Sequence, residues 1–326
     1  MHKPFRLPFL LTVVGAMALS TAAHAQTWPA KPVRVIASFA AGSAPDIICR
    51  LVMDRVTRSL GQQMIVENRP GASNVIGAQA VASATPDGYT MLVGATGPTV
   101  VNSILVKHQA FDPQRAFAPI TLTATNNLLM TVPNSLPAKT VREFIELARA
   151  KPGQLRFGSP GIGSSPHLTG ELLKSLAGID MVHVPYKGSP QYTIDLLAGR
   201  IDVVIASAGA LLPHIRSGRL RLIAVSTAQR DPAYPDVPAI NETVPGFDVF
   251  GWFGLLTTAG TPASVMKKLH AELARILAEP EVKSVYNNAG LDVAISQSPA
   301  EFAALIARER EKWARVIRTA NIRIEE

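Results

Sequence analysis

Short apolar runs alternate with longer amphipathic stretches in the first third of the chain. The predicted strands are the apolar runs at residues 31–36, 64–67 and 89–93. The helix predicted after the first strand ends at Gly61 and repeats apolar residues at helical spacing: Ile48, Leu51, Val52, Val56 and Leu60. A helix of small residues at 72–84 separates the second and third strands. Strands that alternate with helices predict a mostly parallel sheet, whose ligand site lies beyond the carboxyl ends of the strands.

This alternation stops at residues 118–132 and then begins again. Residues 118–124 and 128–132 predict one long extended segment, interrupted at Thr125 to Asn127. The strands predicted after it are 154–157, 181–184, 203–205 and 222–225, and the helices between them are 141–150 and 192–198. An aromatic segment from Phe250 to Leu256 predicts a return crossing. The last predicted helices each carry an apolar stripe and cover 263–278, 281–288 and 299–320.

The renewed alternation predicts a second α/β domain inserted into the first. We assign residues 26–125 and 249–326 to domain I and residues 126–248 to domain II. Two extended crossings between two domains form a hinge, and rotation about residues 124–127 and 249–254 would close a cleft over a ligand. This organisation favours binding over catalysis.

The amino-terminal residues have the pattern of a secretory signal peptide. Basic residues precede an apolar run from Leu7 to Leu19, and Ala23-His24-Ala25 forms a cleavage site before Gln26. The apolar run is shorter than the roughly 20 residues of a membrane-spanning helix. We therefore expect residues 1–25 to be removed and the mature chain to be an exported, soluble protein.

The net charge and the cysteine content exclude some classes of function and of covalent structure. The formal net charge is +8, and it becomes +6 once Lys3 and Arg6 leave with the signal peptide. A net positive charge favours anionic solutes. The basic residues are mixed with acidic ones along the predicted helices, with no basic block among aromatics, which argues against nucleic acid binding. Cys49 is the one cysteine, so no intramolecular disulfide is possible, and its apolar neighbours predict a buried thiol.

A loop of glycines and serines at 157–171 joins a predicted strand to a helix. A helix start with small residues before it is suited to an anion, because main-chain N–H groups and the helix dipole face the ligand. We expect a carboxylate here, and the candidate residues are Ser159, Gly161, Gly163, Ser164, Ser165 and His167. In the alternative interpretation, the glycines only turn the chain, and Ser164 or Ser165 caps the helix ahead of Pro166.

Two further polar loops leave predicted strands at the same edge of the sheet. The candidates in the loop after the first strand are Phe39, Ala41, Gly42, Ser43 and Asp46, and those after the third strand are Thr96 and Thr99. Asp46 has two open interpretations. Its carboxylate either complements the helix dipole or reaches into a cleft and accepts hydrogen bonds from a ligand or a bound water.

Signatures of catalysis and of metal binding are not found. The histidines considered as ligands, His167, His183 and His214, are widely spaced and are expected to be structural, with His167 the best placed to touch a ligand. Pro166 stands where a dinucleotide fingerprint needs its third glycine, and the loop lacks Gly-x-Ser-x-Gly. An exported hydrolase using Ser164 or Ser165 would have no evident base or acid partner. We therefore expect no enzyme, no cofactor and no metal.

Short segments in one order along the mature chain resemble a known family. They are Trp28 to Arg34, Asp46 to Arg50, Val66 to Gly71, Pro86 to Tyr89, Phe117 to Ile120, Pro137 to Thr140, Lys151 to Gly153, His167 to Glu171, His183 to Gly188, Pro213 to Ile215, Tyr234 to Pro238, Trp252 to Gly254, and Lys312 with Trp313. In these segments the chain resembles a solute receptor of the tripartite tricarboxylate transporter family, also called Bug-type receptors.

The resemblance implies a type II periplasmic binding protein fold, a periplasmic location and a small carboxylated solute. It implies membrane transporter subunits as partners, although a membrane sensor stays open as an alternative, and we expect a monomer. Main-chain groups and ordered water in the loop from Phe39 to Asp46 would hold one carboxylate. The loop from Ser159 to His167, with Ser207 and Ala208, would contact the other end. Apart from the resemblance, Tyr186 and Lys187 follow a proline at a strand end, and they are either a packed aromatic and a solvated amine or residues on the rim of the cleft.

Two loops depart from the family pattern. Residues 40–45 read Ala-Ala-Gly-Ser-Ala-Pro, where members usually have a proline and a double glycine. Residues 206–209 read Ala-Ser-Ala-Gly, where members often have Asp-Asn-Leu-Pro. This smaller, less polar loop predicts a bulkier or partly apolar carboxylate as the solute.

Overall fold

The computed structural model describes residues 28–39, 41–70, 75–105, 111–186, 188–209, 211–319 and 322. Its strands are β1 (Val33–Ala37), β2 (Met64–Asn68), β3 (Thr90–Ala95), β4 (Phe117–Pro133), β5 (Arg156–Ser159), β6 (Val182–Pro185), β7 (Val203–Ser207), β8 (Leu220–Val225), β9 (Phe250–Thr258) and β10 (Asp292–Val293). Its helices are α1 (Ala44–Leu60), α2 (Val75–Ala82), α3 (Asn102–Leu105), α4 (Pro113–Ala116), α5 (Val141–Ala150), α6 (Ser165–Ala177), α7 (Ser189–Leu197), α8 (Leu212–Arg216), α9 (Ala263–Leu277), α10 (Pro280–Asn288) and α11 (Pro299–Thr319).

The strands form two groups that share β4. The first lobe has the order β2-β1-β3-β9-β4-β10, with β1, β2 and β3 parallel and β9 antiparallel to both β3 and β4. The second lobe has the order β6-β5-β7-β4-β8, with β5, β6 and β7 parallel and with β7 and β8 antiparallel to β4. This is the mixed α/β architecture of a type II periplasmic binding protein, as the sequence predicted.

Strand β4 is the main structural link between the lobes. It pairs with β9 as far as Asn127 and with β7 from Leu128 onward. The predicted interruption at Thr125 to Asn127 is wrong, because Asn126 and Asn127 lie within the ladder opposite Gly251 and Phe250. Asparagine is a poor strand former, but pairing with β9 outweighs that weak preference.

The helices follow the apolar pattern closely where that pattern is strong. Helix α5 has the predicted bounds, with Thr140 as its cap: the Thr140 side chain accepts a hydrogen bond from Glu143 N. Helix α7 starts earlier than the predicted residue 192, because Pro190 stands in its first turn among polar residues that the apolar pattern does not mark. The short helix α8 and the π-helical turn Gly97–Val101 were not predicted.

The last long helix, α11, packs against both lobes. Trp313 is fully buried and belongs to the same apolar cluster as Leu168 and Leu172 of α6 in the second lobe. Phe302, at the other end of α11, packs edge-to-face on Trp252 of β9, with ring centroids 5.5 Å apart. Each such buried side chain contributes roughly 1.5–3 kcal/mol. Helix α11 therefore stabilises the arrangement of the two lobes.

The predicted signal peptide, residues 1–25, lies outside the described residues. Within the part of the chain that the structure describes, none of the helices combines the length and the apolar character needed to cross a membrane. Cys49 is buried as predicted, and burial raises the pKa of its thiol to about 12.

Candidate functional site

The strand directions bring four polar loops to the junction of the two lobes. Since β4 runs from the first lobe into the second, β1 and β3 end facing the second lobe, while β5 and β7 end facing the first. The loops on these two edges are in contact. A Cβ atom built on Gly163 of the second lobe would lie only 3.2 Å from Leu105 Cδ1 of the first lobe.

Asp46 organises the loop after β1. Its Oδ2 accepts a hydrogen bond from Gly42 N at 2.9 Å, and its Oδ1 accepts one from Asn68 Nδ2 at 2.7 Å. Arg50 Nε lies 3.1 Å from Oδ1 and 3.2 Å from Oδ2. Asn68 Nδ2 also donates to Phe39 O at 3.1 Å. The buried carboxylate therefore ties the loop main chain to β2 and to the second turn of α1.

The charged form of Asp46 is favoured despite burial. Burial alone raises its pKa, but hydrogen bonds from Asn68, Gly42 and Arg50 outweigh this effect and lower the pKa below its ordinary value. Arg50 is in turn engaged with Asp46 and with Asn68 Oδ1, at 2.5 Å. Neither the carboxylate nor the guanidinium is a free charge in this structure.

The other candidates in this loop have distinct positions. Gly42 has φ 77°, in the left-handed region where glycine is favoured. Ala41 is exposed, and Ser43 holds the cap position of α1 without a capping hydrogen bond from its side chain. The Phe39 ring packs edge-to-face on Phe253 of β9, with centroids 5.4 Å apart.

The loop after β3 supplies two buried threonines. Thr99, in the π-helical turn, donates its Oγ1 proton to Ala95 O at the end of β3, at 2.5 Å. Thr99 also lines a cavity of about 190 Å³ inside the first lobe, with Phe117, Leu256 and Ile306. Thr96 is 3% exposed. Both threonines therefore lie within the wall of the first lobe.

The loop after β5 is held by its own serine and histidine side chains. Ser159 Oγ lies 2.6 Å from His183 Nε2 of β6 and accepts from Gly161 N at 3.1 Å. Gly163 N donates to His167 Nδ1 at 3.1 Å. Ser164 Oγ donates to Gly161 O at 2.6 Å. The N–H groups of Gly161 and Gly163 are thus used within the loop, so the expectation that the loop offers free main-chain donors does not hold for these two.

Helix α6 begins as the alternative interpretation predicted. Ser164 is the cap, and its Oγ accepts from His167 N at 3.4 Å. Pro166 is in the first turn, and Gly161 and Gly163 have φ 126° and 77°. Ser165 Oγ is buried and has no hydrogen-bond partner among the residues that the structure describes. The turn at the glycines and the helix cap at Ser164 do not exclude a ligand at this loop, because neither of them uses the Ser165 hydroxyl.

Two neutral histidines lie beneath this loop. The ring centroids of His167 and His183 are 4.0 Å apart, and Phe157 packs beside both rings. Burial, with the neighbouring His183 and Lys174, lowers the pKa of His167 to about 3. Burial and Lys174 lower the pKa of His183 to about 4. Both rings are therefore uncharged at neutral pH and accept or donate as neutral imidazoles.

The remaining candidates lie at the ends of β6 and β7. Ser207 is exposed, and its Oγ accepts from Asn126 Nδ2 at 2.7 Å. Ala208 is buried and lines a cavity of about 210 Å³ between the lobes. Tyr186 donates its hydroxyl to Asp195 Oδ2 at 2.8 Å, and burial together with Asp195 raises the pKa of Tyr186 to about 12. Lys187, considered for the rim, lies outside the described residues.

Sequence reasoning missed two asparagines and a glycine that shape this junction: Asn68, Asn126 and Gly251. Asn68 ends β2 at the same edge as the loop after β1, so its position offered a signal. Asn126 was instead assigned to an interruption of the strand. Among the described residues, no group of three or more histidine, cysteine or carboxylate side chains could hold a metal ion.

Comparison with known proteins identifies the family. A family model described as the tripartite tricarboxylate transporter family receptor matches residues 48–322. A UPF0065 protein of Bordetella bronchiseptica is 37% identical over 315 residues, which are 96% of this chain and 93% of that protein.

Solved structures agree with this match. An R. palustris protein with adipate has a TM-score of 0.82 and 32% identity, over 91% of this chain and 99% of that one. MatC from Rhodopseudomonas palustris with bound malate has a TM-score of 0.78 and 30% identity, over 89% of this chain and 100% of that one. The matched family is one of transporter receptors and not of enzymes. With two lobes joined by β4 and polar loops facing across their junction, this chain belongs to the family of tripartite tricarboxylate transporter receptors.

Proposed function

We propose that this protein is a periplasmic receptor that binds a small carboxylate-bearing solute between its lobes and delivers it to a tripartite tricarboxylate-type membrane transporter. Export would follow removal of residues 1–25. Residues 26–125 and 249–326 would form domain I and residues 126–248 domain II. The observation that carries the proposal is the meeting of four polar loops, from both lobes, at one junction.

The electrostatics of these loops support an anionic solute held by neutral groups. Arg50 is occupied by Asp46, and the rings of His167 and His183 are uncharged at neutral pH. A carboxylate would therefore be held by hydroxyls, such as that of Ser165, and by main-chain N–H groups other than those of Gly42, Gly161 and Gly163, which are already bonded. We propose that the solute contacts are made by Phe39, Ala41, Gly42, Ser43, Asp46, Thr96, Thr99, Ser159, Gly161, Gly163, Ser164, Ser165, His167, Tyr186, Ser207 and Ala208.

Exposed apolar side chains near these loops favour a solute with an apolar part. Ile47, in the first turn of α1, is 49% exposed, and Ile162, in the loop after β5, is 37% exposed. Burying such side chains against an aliphatic or aromatic solute would add roughly 25 cal/mol for each Å² covered. The adipate and malate seen in the related structures are both carboxylates.

A thermal-shift screen tests the proposal. Residues 26–326 would be heated with aliphatic and aromatic mono-, di- and tricarboxylates and with acidic amino acids, and 1,6-diaminohexane would serve as the amine matched to adipate. A solute that binds the folded state raises the melting temperature in proportion to ln(1 + [L]/Kd). We expect a shift with at least one carboxylate and none with the diamine. The absence of any carboxylate shift would refute the proposal, and binding of short polar diacids alone would refute the apolar preference.

The partner is tested separately. Receptor carrying the identified solute is expected to co-purify with the membrane subunits of a transporter. Co-purification with the periplasmic domain of a sensor instead would reassign the receptor to signalling.

A further inference from the structure

Asn126 lies in β4 two residues before Leu128, where the pairing with β7 begins. Upstream of this point β4 pairs with β9, and from Leu128 it pairs with β7. Asn126 stands opposite Gly251 of β9, and Leu128 stands opposite Ser207, the last residue of β7. The Asn126 side chain is 2% exposed. A buried amide therefore sits at the boundary between the two lobes.

The packing around Asn126 fixes its side chain in one place. A Cβ atom built on Gly251 would lie 2.2 Å from Asn126 Oδ1 and 3.0 Å from its Cγ. Any larger residue at 251 would therefore displace the amide. The glycine opposite Asn126 leaves the space that the amide fills, so the side chain has little freedom to move away from Ser207.

The hydrogen bond from Asn126 determines the direction of the Ser207 hydroxyl. Asn126 Nδ2 donates to Ser207 Oγ at 2.7 Å, so the serine oxygen acts as an acceptor in this bond. The serine proton must then point elsewhere. Ser207 is exposed at the edge that faces the first lobe, and no protein acceptor for this proton is found among the described residues. The hydroxyl is therefore oriented as a donor towards the junction of the lobes.

We propose that Asn126 is a positioning residue for solute recognition: it turns the Ser207 hydroxyl so that the proton is donated to a second acceptor group on the solute, such as a second carboxylate. This inference rests on the proposed function and adds to it the requirement for two acceptor groups. Asn126 acts only through Ser207 and does not itself touch the solute.

A double-mutant cycle tests the inference, with adipate as the probe and hexanoate as its monocarboxylate counterpart. The variants are Asn126→Ala, Ser207→Ala and the combination of both, with Kd measured by calorimetry. Each single change is expected to weaken adipate binding roughly tenfold or more, the range for a hydrogen bond to a charged group. Asn126→Ala in the Ser207→Ala background is expected to change Kd less than twofold. Hexanoate binding is expected to stay unchanged throughout.

Two further variants separate positioning from loss of fold. Asn126→Asp keeps the size but offers only acceptors, so it should draw the Ser207 proton inward and weaken adipate binding at least as much as alanine does. Asn134→Ala is the matched control, because Asn134 is an exposed asparagine just beyond the far end of β4 and donates to Gly218 O, not to Ser207. It should leave the adipate Kd unchanged. Melting temperatures of all variants report any loss of stability independently of binding.

Several outcomes would overturn the inference. If the two substitutions weaken adipate binding additively in the double-mutant cycle, Asn126 does not act through Ser207. If Asn126→Asp leaves the adipate Kd unchanged, the amide donor at position 126 is not needed. If the wild-type protein binds only monocarboxylates, the requirement for a second acceptor group on the solute is refuted, while the proposed function is not. A wild-type protein that binds no carboxylate refutes both.

Discussion

At the scale of single residues, Asp46 illustrates how one buried charge can shape a loop. Its carboxylate accepts from the main chain of its own loop, from Asn68 of β2 and from Arg50 of its own helix. Both sequence-based interpretations of Asp46 placed it near the helix start, and that position is correct. Its partner Asn68 is 22 residues away, and only folding brings β1 and β2 side by side.

Replacing Asp46 is expected to destabilise this loop. Asp46→Ala leaves the donors of Gly42 and Asn68 without their acceptor, which costs about 1–3 kcal/mol. It should also weaken solute binding, because the loop main chain loses its anchor. Urea unfolding measures the stability, and the thermal-shift response to the identified carboxylate measures the binding.

The matched control is Asp54→Ala, two turns further along α1, where an exposed aspartate pairs with Arg58. Surface pairs of this kind contribute about 0–1 kcal/mol. Equal loss of stability in the two variants would contradict the anchoring role of Asp46.

At the scale of secondary-structure elements, β5, β6 and α6 are joined by a pair of uncharged histidines. His167 of α6 accepts from Gly163 N, and His183 of β6 contacts Ser159 at the end of β5. The sequence analysis expected structural histidines, but their pairing was invisible because 16 positions separate them in the chain. The parallel pairing of β5 with β6 places Phe157 opposite His183, and α6 covers both.

This arrangement predicts a loss of stability in mild acid. Both pKa values are lowered on folding, to about 3 and about 4 from 6.5, so the unfolded chain binds more protons below pH 6.5. The stabilising contribution is complete above pH 6.5 and is lost progressively as the pH falls towards 4. At pH 5 the loss is about 2 kcal/mol per histidine at most.

Urea unfolding between pH 7.5 and pH 4.5 measures this effect. His183→Gln should make the free energy of unfolding depend less steeply on pH, since one of the two titrating groups is removed. Gln154→Ala, at an exposed position just before β5, removes no titrating group; it is the control and should leave the pH profile unchanged. Parallel profiles for wild type and His183→Gln would count against the prediction.

At the scale of the whole molecule, β4 and α11 connect the two lobes. Trp313 is fully buried in a cluster that includes side chains of both lobes, and its Nε1 donates to the buried Glu309 Oε2 at 3.0 Å. Because this cluster is shared, we expect the lobes to unfold together in a single transition.

Truncating Trp313 is expected to weaken both lobes at once. Trp313→Ala removes a large core side chain and the partner of Glu309, at a cost of about 3–5 kcal/mol. Arg315→Ala, at an exposed position on the same helix, should have little effect. Urea unfolding followed by far-ultraviolet circular dichroism measures both variants. A second, separate transition in Trp313→Ala, with one lobe left at wild-type stability, would contradict the shared core.

The sequence by itself determined the order and type of most elements, the polar loops and the family. These follow from local signals: apolar periodicity marks a helix or strand face, and glycine, proline and serine mark its ends. The bounds of α5 were predicted in this way, and Ser164, the cap of α6, was one of the two candidates in the alternative interpretation of that loop. The tertiary structure alone decided which polar groups pair. It kept β4 continuous through Asn126 and brought Asn68 to Asp46 and Asn126 to Ser207, because each of these contacts depends on strand pairing between residues far apart in the chain.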